Sequence, residues 1–255
     1  MNSIKVLVFI LTVSTHFTLL SQGPNQTDAQ GRKQGKWIVL FENSRVPQYE
    51  GQFKDGKPFG KFTYYYPSKK VKAIMQFENN GTVSRAVMYE EDGKLMAYGK
   101  YVNQQKDSVW THFAPSGHTS YKETFKNGTL HGKKTIYYIP EHAEQKTQQV
   151  AQEYHYKNGK LSGEVKEYFP NGTLKSEGTY VNENYDGVVK KYHPNGKIMI
   201  IERYKNNLKH GWWMGYDENG KEIGRRYFWN GRELKGDKLT AHLDRLKAEG
   251  KNPNE

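Results

Sequence analysis

The sequence has no cysteine, which excludes disulfides, thiolate metal sites, cysteine nucleophiles and lipid attachment through cysteine. Hydrophobic residues are scarce as well: 35% of 255 residues, with a mean hydropathy of −0.95. That is too little for a large aliphatic core. Only one stretch, near the N-terminus, is apolar enough to interest a membrane, and no run of five or more basic residues occurs. What the chain does have is aromatic residues and glycine. Aromatics are 14% of the chain, led by 19 tyrosines, and there are 25 glycines. Disordered chains are poor in aromatics, and frequent glycine suits tight turns better than long helices. The composition points to an ordered, turn-rich, all-β protein.

Lysine and arginine number 39 against 27 acidic residues, a net charge of +12. Such a balance favours anionic partners, whether nucleic acid, acidic lipid, polysaccharide or an acidic protein. The charge is dispersed, mostly as lysine, which also suits a solvated strand surface that resists aggregation.

Met1–Lys5 carries one positive charge, Val6–Leu20 is mostly apolar, and Ser21-Gln22-Gly23-Pro24 breaks the run. This is the order of a secretory signal peptide. At 15 residues the apolar stretch falls short of the roughly 20 a spanning helix needs. The expectation is a signal over residues 1–21 cleaved after Ser21, a short linker over 22–27, and a bacterial protein exported to the periplasm or secreted.

The remainder repeats. Aromatic anchors stand at Phe53, Phe77, Tyr101 and Phe125, then at Tyr156, Tyr180, Tyr204 and Phe228, in steps of 24. An insertion near residues 141–149 separates the two sets. Twelve residues past each anchor but the last lie Tyr65, Tyr89, Phe113, Tyr137, Tyr168, Tyr192 and Tyr216. Seven past lie Gly60, Ser84, Ser108, Gly132, Gly163, Gly187 and Gly211, and sixteen past are Gly93, Gly117, Gly172, Gly196 and Gly220. Gly31–Trp37 opens the array with a degenerate unit and Arg226–Gly231 begins a truncated closing one.

Each unit reads as a hairpin. Asn158-Gly159 and Pro170-Asn171-Gly172 are turn signals between extended segments. In the return strand, Leu174, Ser176, Gly178 and Tyr180 alternate with Lys175, Glu177 and Thr179, so one face is solvated. The outgoing strand carries aromatics on both faces. Hairpins of fixed period predict an elongated single-layer antiparallel meander over residues 28–236, of about 16 strands and roughly 75–80 Å. The aromatic column at Tyr65 through Tyr216 is expected to form a cross-strand ladder, with the glycines letting rings lie over the backbone. Residues 237–250 predict a short amphipathic helix, N-capped by Asp237 and covering the last sheet edge. Residues 251–255 are expected to trail as a flexible tail.

The Tyr-x-Asn-Gly-x-x-x-Gly pattern, the Pro-Asn-Gly turns and the His131-Gly132 and His210-Gly211 steps resemble MORN-type repeats. Units such as that from Tyr156 to Gly172 are most similar to the bacterial MORN-variant group, which includes YwqK-type antitoxins. The resemblance implies a scaffold or accessory module and supplies no catalytic residues.

The residues themselves offer little chemistry. No metal-ligand helix spacing and no HExxH-type motif occurs among the nine histidines. Ser116-Gly117-His118 lacks the flanking glycine of a nucleophile elbow. Glu90, Glu91 and Asp92 sit together at a turn, and His142 lies beside Glu141 and Glu144 in the insertion. The expectation is therefore no enzyme, no cofactor and no metal. Trp110, Trp212, Trp213 and Trp229 are the candidate binding residues, since exposed tryptophan among lysines stacks on partners. The expected partner is a protein or an acidic envelope component, bound through a basic, aromatic-rich sheet. Export argues against nucleic acid. The alternative is an antitoxin or immunity protein that sequesters a toxin. N-terminal sequencing of the protein from its host is expected to find about 21 residues removed and the remainder outside the cytoplasm; an intact Met1 on cytoplasmic protein would overturn the export reading.

Overall fold

The computed structural model describes residues 23–141 and 147–255. The expected signal segment and residues 142–146 of the insertion, with His142 and Glu144, lie outside the described residues. The rest forms one open antiparallel sheet in which each strand pairs with the next along the chain. Among the described residues there are twenty strands, and sixteen of them run six residues or longer. The two-residue strands Asn184–Tyr185 and Leu208–Lys209 are each separated by one residue from the strands Gly187–Tyr192 and Gly211–Tyr216. Each couple is a single pass of the chain.

Two rows of turns edge the sheet. At the tight hairpins the two turn residues both have positive φ, as a type I′ turn demands. Asn127-Gly128 has φ of 49° and 77°, and Asn158-Gly159 has 51° and 82°. Asn103-Gln104, Asn182-Glu183 and Asn206-Asn207 adopt the same geometry without glycine. In the other row, a glycine sixteen past the anchor donates its N–H to the carbonyl three residues back, as Gly172 does to Phe169 at 2.8 Å.

Both rows are bonded along the array. The Gly56, Gly128, Gly159 and Gly231 amides donate to the Lys33, Lys106, Leu130 and Lys209 carbonyls of the preceding units, at 2.8–3.0 Å. In the opposite row the Tyr66 and Tyr138 hydroxyls donate to the Tyr89 and Tyr168 carbonyls of the following units, at 2.8 and 2.7 Å. Each hairpin is thus tied to its neighbours at both ends.

The column seven past the anchor marks a β-bulge. From Phe59 to Thr63 the outgoing strand spans four residues while its partner spans two, from Gln52 to Glu50. The same excess occurs between Leu161 and Val165. Gly60, Gly132, Gly163, Gly187 and Gly211 have φ between 68° and 121°, which disfavours any Cβ. This column therefore holds glycine for its backbone angle, and the expectation that these glycines make room for rings is corrected. The two serines differ. Ser108 keeps the bulge at φ 58°. Ser84 sits 4% exposed in a pairing with no register shift.

Room for rings is made elsewhere, two residues before the anchor. A methyl group on Gly51 would land inside the Phe62 ring, and one on Gly99 inside the Trp110 indole. These rings belong to the anchor face, where aromatics run across strands. Phe53, Phe62 and Phe77 meet edge to face with centroids 5.3 and 4.8 Å apart. Tyr180, Tyr185, Tyr204, Trp213 and Phe228 continue the pattern at 4.0–5.3 Å. Phe62, Ala86, Trp110, Val165 and Val189 are among the buried residues of this face, 0–7% exposed.

The C-terminal helix runs Gly236–Ala248 and ends in a Schellman turn, with Gly250 at φ 65° and Lys251 donating to the Leu246 carbonyl at 2.8 Å. Lys235 holds the N-cap position without a side-chain bond, and Asp237 lies in the first turn. The helix covers a face of the last hairpin through His242, whose ring packs on Tyr227 and Trp229. The edge is covered only by the three-residue strand Arg232–Leu234. The last residues are docked too. The Tyr227 hydroxyl donates to the Pro253 carbonyl at 2.9 Å, and the Trp212 amide donates to the Asn254 side chain at 3.1 Å.

Gly99→Ala is expected to cost about 2–3 kcal/mol, because Trp110 is fully buried and must move. Gly224→Ala, which meets nothing within 4 Å, is expected to change stability by less than about 0.5 kcal/mol. Paired thermal melts of the two variants check this, and equal losses would overturn the ring-over-glycine account.

Candidate functional site

The four candidate tryptophans fall into three different settings. Trp110 is 0% exposed, and its indole N–H donates to the Lys100 carbonyl at 3.0 Å. It is a core residue, and its place among the binding candidates is corrected. Trp229 lies between the imidazoles of His210 and His242, at 4.5 and 4.4 Å. Trp212 packs edge-on against Tyr227 on that same helix-covered face, with the Arg225 guanidinium 5.6 Å from its ring. Trp213 points to the opposite, anchor face, against Tyr204 and Phe228.

Trp213 lines a cleft of about 450 Å³ with Ile200, Lys209, Ile223, Arg226 and Phe228. Its floor is a cross-strand pair of glycines, Gly215 and Gly224. No ring roofs them, unlike Gly51 and Gly99. Ile223 is 71% exposed at the rim. Arg226 is largely exposed and reaches only to 4.0 Å from Glu233.

A lysine belongs to this site that the repeat columns did not single out. Lys209 lies over the Trp213 and Phe228 rings at 4.3 and 5.0 Å. Lys106 sits likewise over Trp110 and Phe125, and Lys33 over Trp37 and Phe53, all at 4.4–4.9 Å. In each case the sequence reads Lys-x-Gly/Ser-x-Trp, with the bulge between. The lysine four residues before each of these tryptophans was the available signal. Strand count puts the three sandwiches roughly 30 and 40 Å apart along one face.

The aromatic column at Tyr65 through Tyr216 lies on the other face. Among the described residues none of its rings touches the next, so it is not a stacked ladder. Five of its seven members instead reach back fifteen residues. The Tyr65, Tyr168 and Tyr192 hydroxyls donate to the Glu50, Glu153 and Glu177 carboxylates at 2.5, 3.3 and 2.7 Å. Phe113, the column's one phenylalanine, has Tyr98 in that place, ring to ring at 5.7 Å. Tyr137 carries the Lys122 ammonium over its ring. Burial first, and then the Glu177 carboxylate, push the Tyr192 hydroxyl up to about 12. Burial and Glu202 do the same for Tyr204.

These groups bind and brace. His112 is stacked on Tyr121 at 4.3 Å, and burial lowers its pKa and keeps it neutral; its Nε2 is buried without a hydrogen bond, 3.8 Å from Glu123. His193 and His210 each hold a backbone oxygen, of Tyr216 and Glu255, at 2.9 and 3.1 Å. Asp92 pairs with Lys94 at its turn, and His118 bonds Ser116 within its own. Among the described residues no group of three histidine or acidic side chains is placed to hold a metal ion, and no helix is long and apolar enough to cross a membrane.

The MORN repeat variant family matches the chain at residues 60–79, 161–182 and 185–206. Each matched segment begins beside a bulge and runs through an outgoing strand into its turn or return strand. The chain carries MORN-type repeats, and the array they belong to is a repeat scaffold. No curated protein is matched.

A tyrosine hydroxyl whose pKa is raised stays neutral longer in the folded state. The stability it contributes is complete below the ordinary value of 10 and is lost as pH rises through about 12. Thermal melts are therefore expected to hold up to about pH 10 and fall beyond it. Glu177→Gln should bring one tyrosinate transition to lower pH in an ultraviolet titration; an unchanged titration would remove Glu177 as a cause.

Proposed function

We propose that the chain is a non-catalytic scaffold, exported to the periplasm or beyond, that binds an acidic protein or acidic envelope component through the anchor face of its sheet. The observation that carries this reading is the Trp213 cleft. It is open, lined by rings and aliphatic side chains, and bordered by the Lys209 and Arg226 side chains. Buried aromatic anchors supply most of the binding energy at such surfaces, and cations at the rim supply steering and selectivity. The charge excess of +12 supports an anionic partner, and the signal-like order of residues 1–21 supports a partner outside the cytoplasm. The antitoxin role implied by the resemblance differs only in the ligand, a toxin acting in that same compartment.

The test is capture of partners from the host's envelope fraction by the mature protein. Retention is expected to weaken with salt, since charges are screened beyond about 8 Å at physiological ionic strength. Trp213→Ala should weaken it at least tenfold at every salt concentration. Trp212→Ala, on the helix-covered face, should loosen the C-terminal helix and leave capture within about twofold. Capture that survives Trp213→Ala unchanged in a folded variant would overturn this reading.

A further inference from the structure

The array stops in the middle of a unit. After the anchor Phe228 the chain makes its tight turn at Asn230-Gly231 and pairs only Arg232, Glu233 and Leu234 with Trp229, Phe228 and Tyr227. At Gly236 it leaves the sheet for the helix. In the complete units the outgoing strand continues along the whole preceding return strand, as Lys57–Tyr65 does along Pro47–Lys54. Here, among the described residues, residues 222–226 have a partner on one side only, the strand Gly211–Tyr216. Bonded residues alternate along an antiparallel ladder. Trp229 and Tyr227 face the short strand, so the Arg225 amide and carbonyl point out of the open edge.

The opposite end of the sheet is closed. The Asn25 amide side chain donates to the Ile38 carbonyl at 2.9 Å and accepts from the Ile38 amide at 2.7 Å, and the Asn25 amide donates to the Lys36 carbonyl at 2.8 Å. Gln26 and Thr27 pair with Gln34 and Lys33. The edge that would receive another copy's C-terminal strand is therefore occupied by the chain itself, which disfavours head-to-tail polymerisation and leaves the C-terminal edge for a different chain.

We infer that an extended, acidic segment of a partner protein adds to this edge as the missing antiparallel strand, along residues 222–226, and places an aromatic or aliphatic side chain over Gly224 and Gly215. Strand addition takes its affinity from main-chain hydrogen bonds and its selectivity from alternate side-chain pockets. The pocket is the glycine pair that no ring covers, unlike Gly51 under Phe62 and Gly99 under Trp110; Ile223 lies against Gly215, and Gly224 is open. The charge preference follows from Lys209, Arg225 and Arg226, set against Glu222 and Glu233. This inference rests on the scaffold reading above and names the partner's form at the same cleft.

The experiment uses the mature protein and two blocked peptides of about nine residues. One alternates glutamate with tryptophan, valine and tyrosine; its counterpart has lysine for glutamate. Fluorescence anisotropy is expected to detect the acidic peptide alone, and hydrogen exchange should slow at the Arg225 amide when it binds. Two variants block the site differently. Arg225→Pro removes the outward N–H, a change an edge strand tolerates. Gly224→Val fills the pocket at a position with open space and no positive φ. Each should weaken the acidic peptide at least tenfold, with Arg225→Ala as the control for the lost side chain. Equal binding of both peptides, or full binding by Arg225→Pro and Gly224→Val, would overturn the inference. So would a parent protein that is oligomeric and becomes monomeric with Arg225→Pro, since the occupant would then be a second copy. If envelope capture is lost with Trp213→Ala and kept with Arg225→Pro, the scaffold reading stands and the strand addition fails.

Discussion

A single layer of strands has no second layer to bury against, so this sheet makes its core from rings laid over its own backbone. The contact is specific. A side chain nine residues past one anchor reaches across to the residue two before the anchor on the neighbouring strand, which is glycine beneath Phe62 and Trp110 and Glu202 opposite Trp213. Phe62 over Gly51 and Trp110 over Gly99 are the plainest cases. Phe62 then meets the anchors on both sides edge to face and Trp110 meets Tyr101 likewise, a geometry that aromatic quadrupoles favour. This is how a chain with only 35% hydrophobic residues holds a tryptophan at zero exposure. Where a smaller residue takes the ring's place, as with Ala86 and Val189, the column stays buried by other means.

The bulge works with this contact. Two extra residues on the outgoing strand preserve the alternation of faces, because two is the side-chain period. They bend the strand and turn a carbonyl, such as that of Lys106 or Lys209, toward the next hairpin's turn amide. Backbone groups freed by the bulge are thus satisfied by the following unit rather than by water. Positive φ at the bulge explains glycine there, and it also places lysine over tryptophan. The three Lys-x-Gly/Ser-x-Trp segments all have this residue at φ 58–68° between them. The array is consequently coupled along both rows of turns and through its rings, as expected when stability lies in nearest-neighbour interfaces.

Much of this was written in the sequence as columns. The turn glycines, the 24-residue step, the hairpin unit and the terminal helix could all be read, because each follows from a local rule about φ or periodicity. Side of the sheet was harder. The column from Tyr65 to Tyr216 is conspicuous because it is always aromatic, yet it sits on the glutamate-bearing face and works through hydroxyls and single ring contacts. Its one phenylalanine falls where the residue fifteen back is Tyr98, not a glutamate. That pairing was visible in the sequence once the distance of fifteen was known, and the distance depends on the bulge. From sequence Trp110 reads as a surface residue, because a single-layer sheet gives no warning that one face can be closed. Analogy with the caps of repeat arrays puts the helix on the edge. His242, facing Tyr227 and Trp229, puts it on a face instead, which leaves the edge at Arg225 open.

That open edge gives the two ends of the array different characters. A meander of identical units would present complementary edges, an outgoing strand at one end and a return strand at the other, and would be free to join end to end. The N-terminal end removes this risk with one side chain, since the Asn25 amide copies the donor and acceptor of a backbone neighbour at Ile38. The C-terminal end uses charge, with Arg225 and Arg226 exposed beside Ile223. Arginine deters a second copy of this strongly basic chain while attracting an acidic strand. The same residues therefore serve protection against self-association and selection of a partner, and the open space over Gly224 beside them is what an edge kept only for protection would have no reason to leave uncovered.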